Sequence, residues 1–412
     1  MVASTIRGRG ALQSLNFFMA DMQAGVGPFL GVFLMSHGWQ SGAIGSIMTL
    51  GGAAGVLMTA PAGSWVDRSS RKRWLVAIPG ICTLLASATM LLSQKFWPIA
   101  LSQVAAAIAG AAIGPAVAGI TLGMFTQAGF TRQTGVNQAY NHAGNAVGAG
   151  LSGLLGWKFG LTSVFALAAG FALCAILSVF LIPRNSIDDQ VARGLDPQIQ
   201  TRQAPRALAV LLQCKPLLVL AAALAFFHLG NAAMLPLYGL AGVVAGKVNP
   251  AGFVAATIVI AQGTMVVTAL VAMRMARSRG LWVVMLVSFA ALPLRGLVAA
   301  NTISSWGVLP VQILDGVGAG LQSVAVPALV ARILDGTGRI NVGQGAVMTV
   351  QGIGAALSPA IGGWLAQWYG YGAAFLALGG LALASLTIWV LGANALRAPP
   401  RSSNPAASSS PY

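Results

Sequence analysis

Residues 63–73 read Gly-Ser-Trp-Val-Asp-Arg-Ser-Ser-Arg-Lys-Arg, and they separate two long apolar stretches of the chain. The segment places Asp67 and Arg68 side by side and follows them with three consecutive basic residues at 71–73. A carboxylate at a helix end can pair with a guanidinium and with the positive end of a neighbouring helix. Short charged connections between long apolar stretches are typical of membrane-spanning helices.

The composition of the whole chain agrees with a membrane protein. Of 412 residues, 57% are hydrophobic and 7% are charged, whereas a soluble domain carries about 25% charged residues. The mean hydropathy of +0.79 points the same way. So few charges cannot cover the surface of a soluble globule, and the composition therefore excludes a soluble enzyme.

Apolar stretches of about 20 residues, the length that crosses a bilayer, recur along the sequence. We place twelve spans at 12–36, 42–66, 74–94, 96–124, 138–157, 161–183, 216–240, 250–273, 281–300, 305–330, 342–366 and 370–392. The first lacks a small-residue cleavage site and indicates an uncleaved membrane helix. The three cysteines, Cys82, Cys174 and Cys214, show no metal-binding spacing.

The basic residues decide the orientation of these spans. With the N-terminus in the cytoplasm, nearly all Lys and Arg residues fall on the cytoplasmic side, and the outer loops hold Lys95, Lys158 and Lys247. We therefore expect a multi-pass protein of the cytoplasmic (inner) membrane with both termini cytoplasmic. The net charge of +16 is then explained by topology and does not indicate a nucleic-acid partner.

The two halves of the sequence resemble each other. At a constant offset, Pro28 falls on Pro236 and Trp74 falls on Trp282. Such repeats predict an all-α membrane protein of two six-helix bundles related by a pseudo-two-fold axis, with a substrate site between them. The predicted parts are an N-terminal bundle at 1–183, a cytoplasmic linker at 184–215, a C-terminal bundle at 216–392 and a disordered tail at 393–412.

Residues 63–73 resemble the signature loop of the major facilitator superfamily, G-x-x-x-D-R-x-x-R-[KR]-[KR], at every key position. The resemblance covers nearly the whole chain and implies a secondary transporter that works by alternating access. It also implies that Asp67, Arg68 and Arg71 form a gating latch, although the loop could serve topology alone. The equivalent loop of the second half has Met275 where Asp67 would fall, so we expect a one-sided latch.

Two departures weaken an assignment to proton-driven drug export. Many proton-coupled members carry Arg in span 4 where this chain has Ala106. Drug antiporters carry a G-P-x-x-G-G element in span 5, whereas here span 5 lacks proline and a similar element occurs at 358–363 in span 11. The resemblance therefore implies transport more firmly than it implies its direction.

Ionisable residues at membrane depth are costly and mark functional candidates. Asp21, beside Gln23 in span 1, is a candidate proton or cation site, or a carboxylate satisfied by neighbouring helices. Asp315 in span 10 is a candidate for coupling or gating, or it caps a close helix contact made by the adjacent glycines. Arg295 lies near the outer end of span 9, and we expect it to extend to the outer surface.

Polar and aromatic side chains suggest where a substrate binds. In span 5, residues 138, 141, 142 and 145 share one helical face, which must face protein or water rather than lipid. The candidate substrate-binding residues are Asp21, Gln23, Phe18, Gln138, Asn141, His142, Asn145, Phe227, His228, Asn231, Gln262 and Gln351. The alternatives are interhelical hydrogen bonding for the polar residues and packing for the aromatic ones.

The sequence favours a secondary active transporter of a small molecule, with protons as the expected coupling ion and no cofactor. Export of a small amphipathic or cationic compound is the first hypothesis, and uptake of a metabolite or metal chelate is the alternative. A non-transporting membrane sensor is a remote third, and an intramembrane enzyme lacks a catalytic motif or metal site. We expect a monomer embedded in lipid.

Overall fold

A computed structural model of the chain describes residues 2–24, 26–193, 211–246, 249–304, 306–335 and 340–394. Within these ranges the regular structure is helical, and no strand occurs. The protein is therefore an all-α membrane protein, as predicted. The side chains of Asp21, Gln23 and Asp67 and most of the predicted tail at 393–412 lie outside the described residues.

The helices follow one another as two six-span halves. The first half contains α1 (Val2–Ala24), α2 (Val26–Ser36), α3 (Ser41–Arg68), α4 (Lys72–Leu92), α5 (Phe96–Gly110), α6 (Ile113–Phe159) and α7 (Thr162–Leu181). The second contains α8 (Lys215–Asn231), α9 (Met234–Val244), α10 (Pro250–Arg279), α11 (Leu281–Asn301), α12 (Val308–Ile333), α13 (Ile340–Tyr369) and α14 (Tyr371–Leu391). Short 3₁₀ turns at Arg184–Ser186 and Val191–Arg193 begin the segment between them, whose role as a linker stays a prediction.

Among the described residues, ten helical stretches are long and apolar enough to cross a membrane. The two predicted spans missing from that set are the first and the fifth. The fifth carries the amide stripe at 138–145, and in the first, residue 25 and the side chains of residues 21–26 lie outside the described residues. Polar side chains lower the hydropathy of a helix, and the amide stripe therefore explains the absence of span 5 from this set.

Spans 4 and 7 are broken helices, and span 4 stops at Gly110 and resumes at Ile113. Span 7 stops at Asn231 and resumes at Met234, and the buried Ser358 hydroxyl accepts the backbone N–H of Ala233 at 2.9 Å. A backbone donor freed by such a break must find a partner inside the membrane. At Thr126 the long helix α6 turns sharply, with φ at 54°, so that the helix of span 5 begins before the predicted residue 138.

The two bundles meet closely at one end of the spans, where the start of α3 lies against the second half of α13. A Cβ at Gly45 would overlap the carbonyl oxygen of Pro359, and one at Gly363 would overlap that of Ser41. Glycine permits such close helix contact in lipid. We call this end, formed by residues 40–49 and 359–371, the closed end.

Hydrogen bonds cross between the bundles at the closed end. The Ser41 hydroxyl donates to the carbonyl oxygen of Gly363 at 3.0 Å, and the Trp364 indole donates to the Ser46 hydroxyl at 3.1 Å. The amide side chains of Gln367 and Gln40 are also hydrogen-bonded. The opposite end, which we call the basic end, carries residues 68–73 and 274–279.

Large apolar side chains cover the outside of the structure. Leu92, Leu57 and Trp306 are each more than three-quarters exposed. On a soluble protein such a surface would aggregate, whereas on a membrane protein it faces lipid. The buried apolar residues form two clusters, one within the first bundle and one that runs through the second bundle and the closed end.

Candidate functional site

The polar stripe of span 5 reaches the interface between the two bundles. Gln138 and His142 are exposed, and Asn141 and Asn145 are half-buried. Nδ1 of His142 lies 3.3 Å from Oε1 of Gln262 on α10, which belongs to the other bundle. The stripe and Gln262, two separate predictions from the sequence, therefore come together at one place.

Part of the polar surface of span 5 serves the first bundle alone. Asn137 accepts a hydrogen bond from Gln133 at 2.9 Å and donates to the Thr121 hydroxyl at 3.0 Å, and all three side chains are buried. Asn141 donates weakly, at 3.4 Å, to the backbone carbonyl of Asn16 on α1. Hydrogen bonding within the first bundle thus explains the start of the polar run, and a substrate-binding role of Gln138, His142 and Asn145 stays a prediction.

A buried ionic cluster lies inside the second bundle. Nη1 of Arg295 donates to Asp315 at 2.8 Å and to the side-chain oxygen of Asn231 at 2.6 Å, and Nη2 donates to Gln312 at 3.2 Å. We call these four residues the arginine cluster. The side chain of Arg295 is 0% exposed and that of Asp315 is 12% exposed.

The cluster corrects the sequence prediction for Arg295, which does not extend to the outer surface. A guanidinium within reach of a carboxylate and two amides gains more from them than from the bilayer surface, because these acceptors replace its lost hydration. Arg295 and Asp315 each lie about two helical turns from the connection between α11 and α12, so the antiparallel hairpin brings them to the same depth. The equal distance of Arg295 and Asp315 from this connection is the feature of the sequence that could have predicted their contact.

The arginine cluster is under-satisfied. Nε of Arg295 and Nε2 of Gln312 are buried donors that have no hydrogen-bond partner among the described residues. Asn231 is the last residue of α8, directly before the break in span 7. Through Asn231, the cluster therefore connects the break in span 7 to spans 9 and 10. On the other side of the break, Ser358 of span 11 hydrogen-bonds Ala233.

Glycines beside Asp315 also make the close contact that the sequence suggested. A Cβ at Gly316 would overlap Thr264 of α10, and the Thr268 hydroxyl donates to the Gly316 carbonyl at 2.9 Å. Asp315 itself pairs with Arg295. The close contact is thus bonded by Thr268 and not by Asp315, and a role of Asp315 in coupling or gating stays a prediction.

Of the two candidate phenylalanines, Phe227 is buried in a protein core and Phe18 packs partly buried against one. Phe18 packs edge-on against Phe171, with ring centroids 5.4 Å apart. Phe227 is 2% exposed and packs against Phe289 and the neighbouring His228. These contacts agree with packing, so contact of Phe18 or Phe227 with a substrate stays a prediction, as it does for the half-buried His228.

The remaining candidates are dispersed. Arg68 and Arg71 are exposed at the basic end, and Gln351 is half-buried on α13. The side chains of Asp21, Gln23 and Asp67 lie outside the described residues, so the gating latch and the span 1 carboxylate are not tested. No group of three or more His, Cys, Asp or Glu residues within the described part of the chain is placed to hold a metal ion.

Comparison with known proteins now adds to this geometry. The sequence model of the Major Facilitator Superfamily matches the chain twice, over residues 12–341 and over residues 264–411. The chain belongs to the major facilitator superfamily. As a member, it is a membrane transporter and not an enzyme, and its fold is that of two six-helix bundles.

Two relatives in the superfamily are proteins of Mycobacterium tuberculosis, from strains CDC 1551 / Oshkosh and H37Rv, each named an uncharacterized MFS-type transporter. Both are 38% identical over 393 residues, which cover 95% of this chain and 94% of the relative. Their names give no substrate. The relationship therefore supports the class of protein and leaves the transported compound open.

Solved structures of this superfamily share the fold at low identity. A mutant of the nucleoside transporter NupG superposes with a TM-score of 0.79 at 15% identity, covering 93% of this chain and 99% of that one. A bacterial homolog of the human lysosomal transporter Spinster, in an inward-facing and occupied conformation, gives a TM-score of 0.67 at 15% identity with 96% coverage of each chain.

Proposed function

We propose that this superfamily member is a secondary active transporter that exposes a polar site between its two bundles alternately to the two sides of the membrane. The observation that carries the proposal is the contact of His142 with Gln262 across the bundle interface, beside the exposed Gln138. Polar side chains at such an interface suit a site that the two bundles build together.

The closed end supports alternating access. Contacts such as Gly45 against Pro359 and Gly363 against Ser41 join the bundles at that end. If the basic end is cytoplasmic, as the distribution of Lys and Arg favours, the closed end is the outer one, as a transporter in its inward-facing state requires. We therefore propose an inner-membrane protein with cytoplasmic termini that functions as a monomer.

The substrate we propose is a small amphipathic or cationic compound, and the direction is export. The amides of Gln138 and Asn145 and the imidazole of His142 offer hydrogen bonds without a fixed charge. Asp315 is already matched by Arg295 at 2.8 Å. The negative charge that would attract a cation therefore comes from Asp21 in span 1.

Uptake of an uncharged polar metabolite is the second candidate. The amides of Gln138 and Asn145 favour it, because such groups hydrogen-bond a substrate that carries no charge. Transport assays distinguish the two candidates directly. Proteoliposomes of known orientation are tested with tetraphenylphosphonium and with uridine as probes, and a pH gradient of either sign is applied.

Proton coupling is proposed to use Asp21 together with Asp315, and gating is proposed to use Asp67, Arg68 and Arg71. The first measurement is proton release on adding tetraphenylphosphonium or uridine to detergent-purified protein in weak buffer. We expect a signal in wild type that Asp21→Asn abolishes. Binding that persists in Asp21→Asn, with no proton signal in either protein, would exclude coupling through this residue.

Alternating access is tested by locking the closed end. In a background in which Cys82, Cys174 and Cys214 are replaced by Ser, Gln40→Cys and Gln367→Cys place two thiols across the bundle interface. We expect a reducible cross-link by a bifunctional methanethiosulfonate, which can span the room of the two glutamine side chains, to stop transport and its reduction to restore it. A matched pair within one bundle, Ala300→Cys with Gly372→Cys, joins neighbouring positions and should leave transport intact.

Full transport by the cross-linked Gln40/Gln367 protein would contradict alternating access at this end. The two single-cysteine proteins serve as further controls, since the cross-linking reagent must leave their transport unchanged.

A further inference from the structure

A cavity of about 150 Å³ lies at the basic end, outside the interface between the bundles. It is formed by the first turn of α4 and by the segment that follows α7, and its lining includes Arg71, Arg73, Arg184 and Asp189. Three guanidinium groups face a single carboxylate. The cavity therefore carries a net positive charge and suits an anion.

Hydrogen bonds connect the segments that surround the cavity. Nη1 of Arg73 donates to the carbonyl oxygen of Ile182 at 3.1 Å and so joins α4 to the end of α7. The buried Lys72 ammonium donates to the carbonyl oxygen of Ser69 at 2.9 Å in the preceding turn. Because Arg73 and Lys72 are held by these carbonyls, the exposed Arg71 and Arg184 are the more available cations.

An apolar surface leads directly away from the cavity. Trp74, which also lines it, is 52% exposed and is followed along one face of α4 by the exposed Ile78, Ile81 and Leu85. These positions recur at helical spacing. The stripe runs towards the middle of the spans, where the surface of the protein meets acyl chains.

The neighbouring helix α7 continues this surface. Phe180 packs edge-on against Trp74, with ring centroids 5.0 Å apart, and the exposed Leu177 and Leu173 follow it. Aromatic residues such as Trp are enriched where a membrane meets water. The cationic cavity therefore lies at the head of a two-helix apolar surface, at the depth of lipid headgroups.

We propose that this cavity binds the headgroup phosphate of an anionic glycerophospholipid, whose acyl chains lie along Trp74, Ile78 and Leu177. A free phosphate would use the cations but not the apolar surface, and a zwitterionic lipid would use the surface but bring no net negative charge. Basic pockets between membrane helices on the cytoplasmic side are suited to anionic headgroups. The proposal does not depend on the transported substrate.

The test is native mass spectrometry of the detergent-purified full chain with palmitoyl-oleoyl phosphatidylglycerol or with phosphatidylcholine of the same acyl chains. We expect wild type to retain phosphatidylglycerol in preference to phosphatidylcholine. Arg184→Gln should lower retention of phosphatidylglycerol about fivefold, the effect of one basic contact near the surface, and Arg184→Lys should keep most of it. Arg277→Gln, also at the basic end but outside the cavity, is the matched control.

Equal retention of phosphatidylglycerol by wild type and Arg184→Gln would overturn the proposal, as would an equal loss in Arg277→Gln. Inorganic phosphate added at millimolar concentration distinguishes a site for a lipid headgroup from a site for free phosphate. It should not displace the bound lipid, and complete displacement would show a site for free phosphate instead.

Discussion

Arg295 and Asp315 form a salt bridge of 2.8 Å inside the second bundle, although they belong to successive helices and lie 20 residues apart. The guanidinium also holds Asn231 at the point where span 7 breaks. One cation thus connects three spans beside a discontinuity in the helix that faces the other bundle.

Removing this cation should destabilise the protein strongly. Arg295→Gln leaves Asp315 and Asn231 without their shared donor, and breaking a buried ion pair costs about 3–5 kcal/mol of unfolding free energy. Thermal unfolding in detergent measures the loss. Arg295→Gln combined with Asp315→Asn should recover part of the stability, because no unpaired carboxylate remains. An unfolding temperature of Arg295→Gln equal to that of wild type would refute the assignment.

Ser358→Ala tests the hydrogen bond at the break of span 7. The substitution leaves the buried N–H of Ala233 without its acceptor, and an unsatisfied buried donor costs about 1–3 kcal/mol. The control is Ser385→Ala, since that buried hydroxyl bonds only within its own helix. We expect a lower unfolding temperature for Ser358→Ala than for Ser385→Ala, and the reverse order would contradict the role of Ser358.

Gly45→Ala tests the contact that joins the bundles at the closed end. Its Cβ would overlap the carbonyl oxygen of Pro359 and lie 2.8 Å from the carbonyl carbon, so the helices must separate. With Ser46→Cys as the reporter in the cysteine-free background, maleimide labelling should become faster. Gly51→Ala on the same helix meets only ordinary contacts, and an equal acceleration there would argue against a specific contact at Gly45.

His142→Ala and Gln262→Ala test the binding site. The two side chains lie 3.3 Å apart across the bundle interface, so each substitution should raise the KM of the transported probe and the double variant should add little. Residues in direct contact show such non-additivity, with coupling of about 0.5–3 kcal/mol. Strictly additive effects would place the two residues in separate sites. Transport kinetics in proteoliposomes provide the measurement.

The spans and their order were predictable from the length of the apolar stretches, and the polar face of span 5 was predictable from the periodicity of one helix. The contact that this polar face makes was not predictable, since the partner of His142 lies on a helix of the other bundle. Arg295 shows the same limit. Its position near a helix end predicted extension to the surface, and the acceptors that retain it come from three other places in the sequence.

The closed end joins the bundles through backbone carbonyls lying against Gly45 and Gly363 and through hydrogen bonds of neutral side chains such as Ser41. Contacts of this kind do not depend on ionic strength, whereas exposed charges are screened over about 8 Å at 0.15 M salt. Concentrated salt should therefore leave this end shut and act on the basic end, where Arg68 and Arg71 are exposed. The two ends of one pathway would then respond to different perturbations. Side-chain volume would control one end, and the electrolyte concentration would control the other.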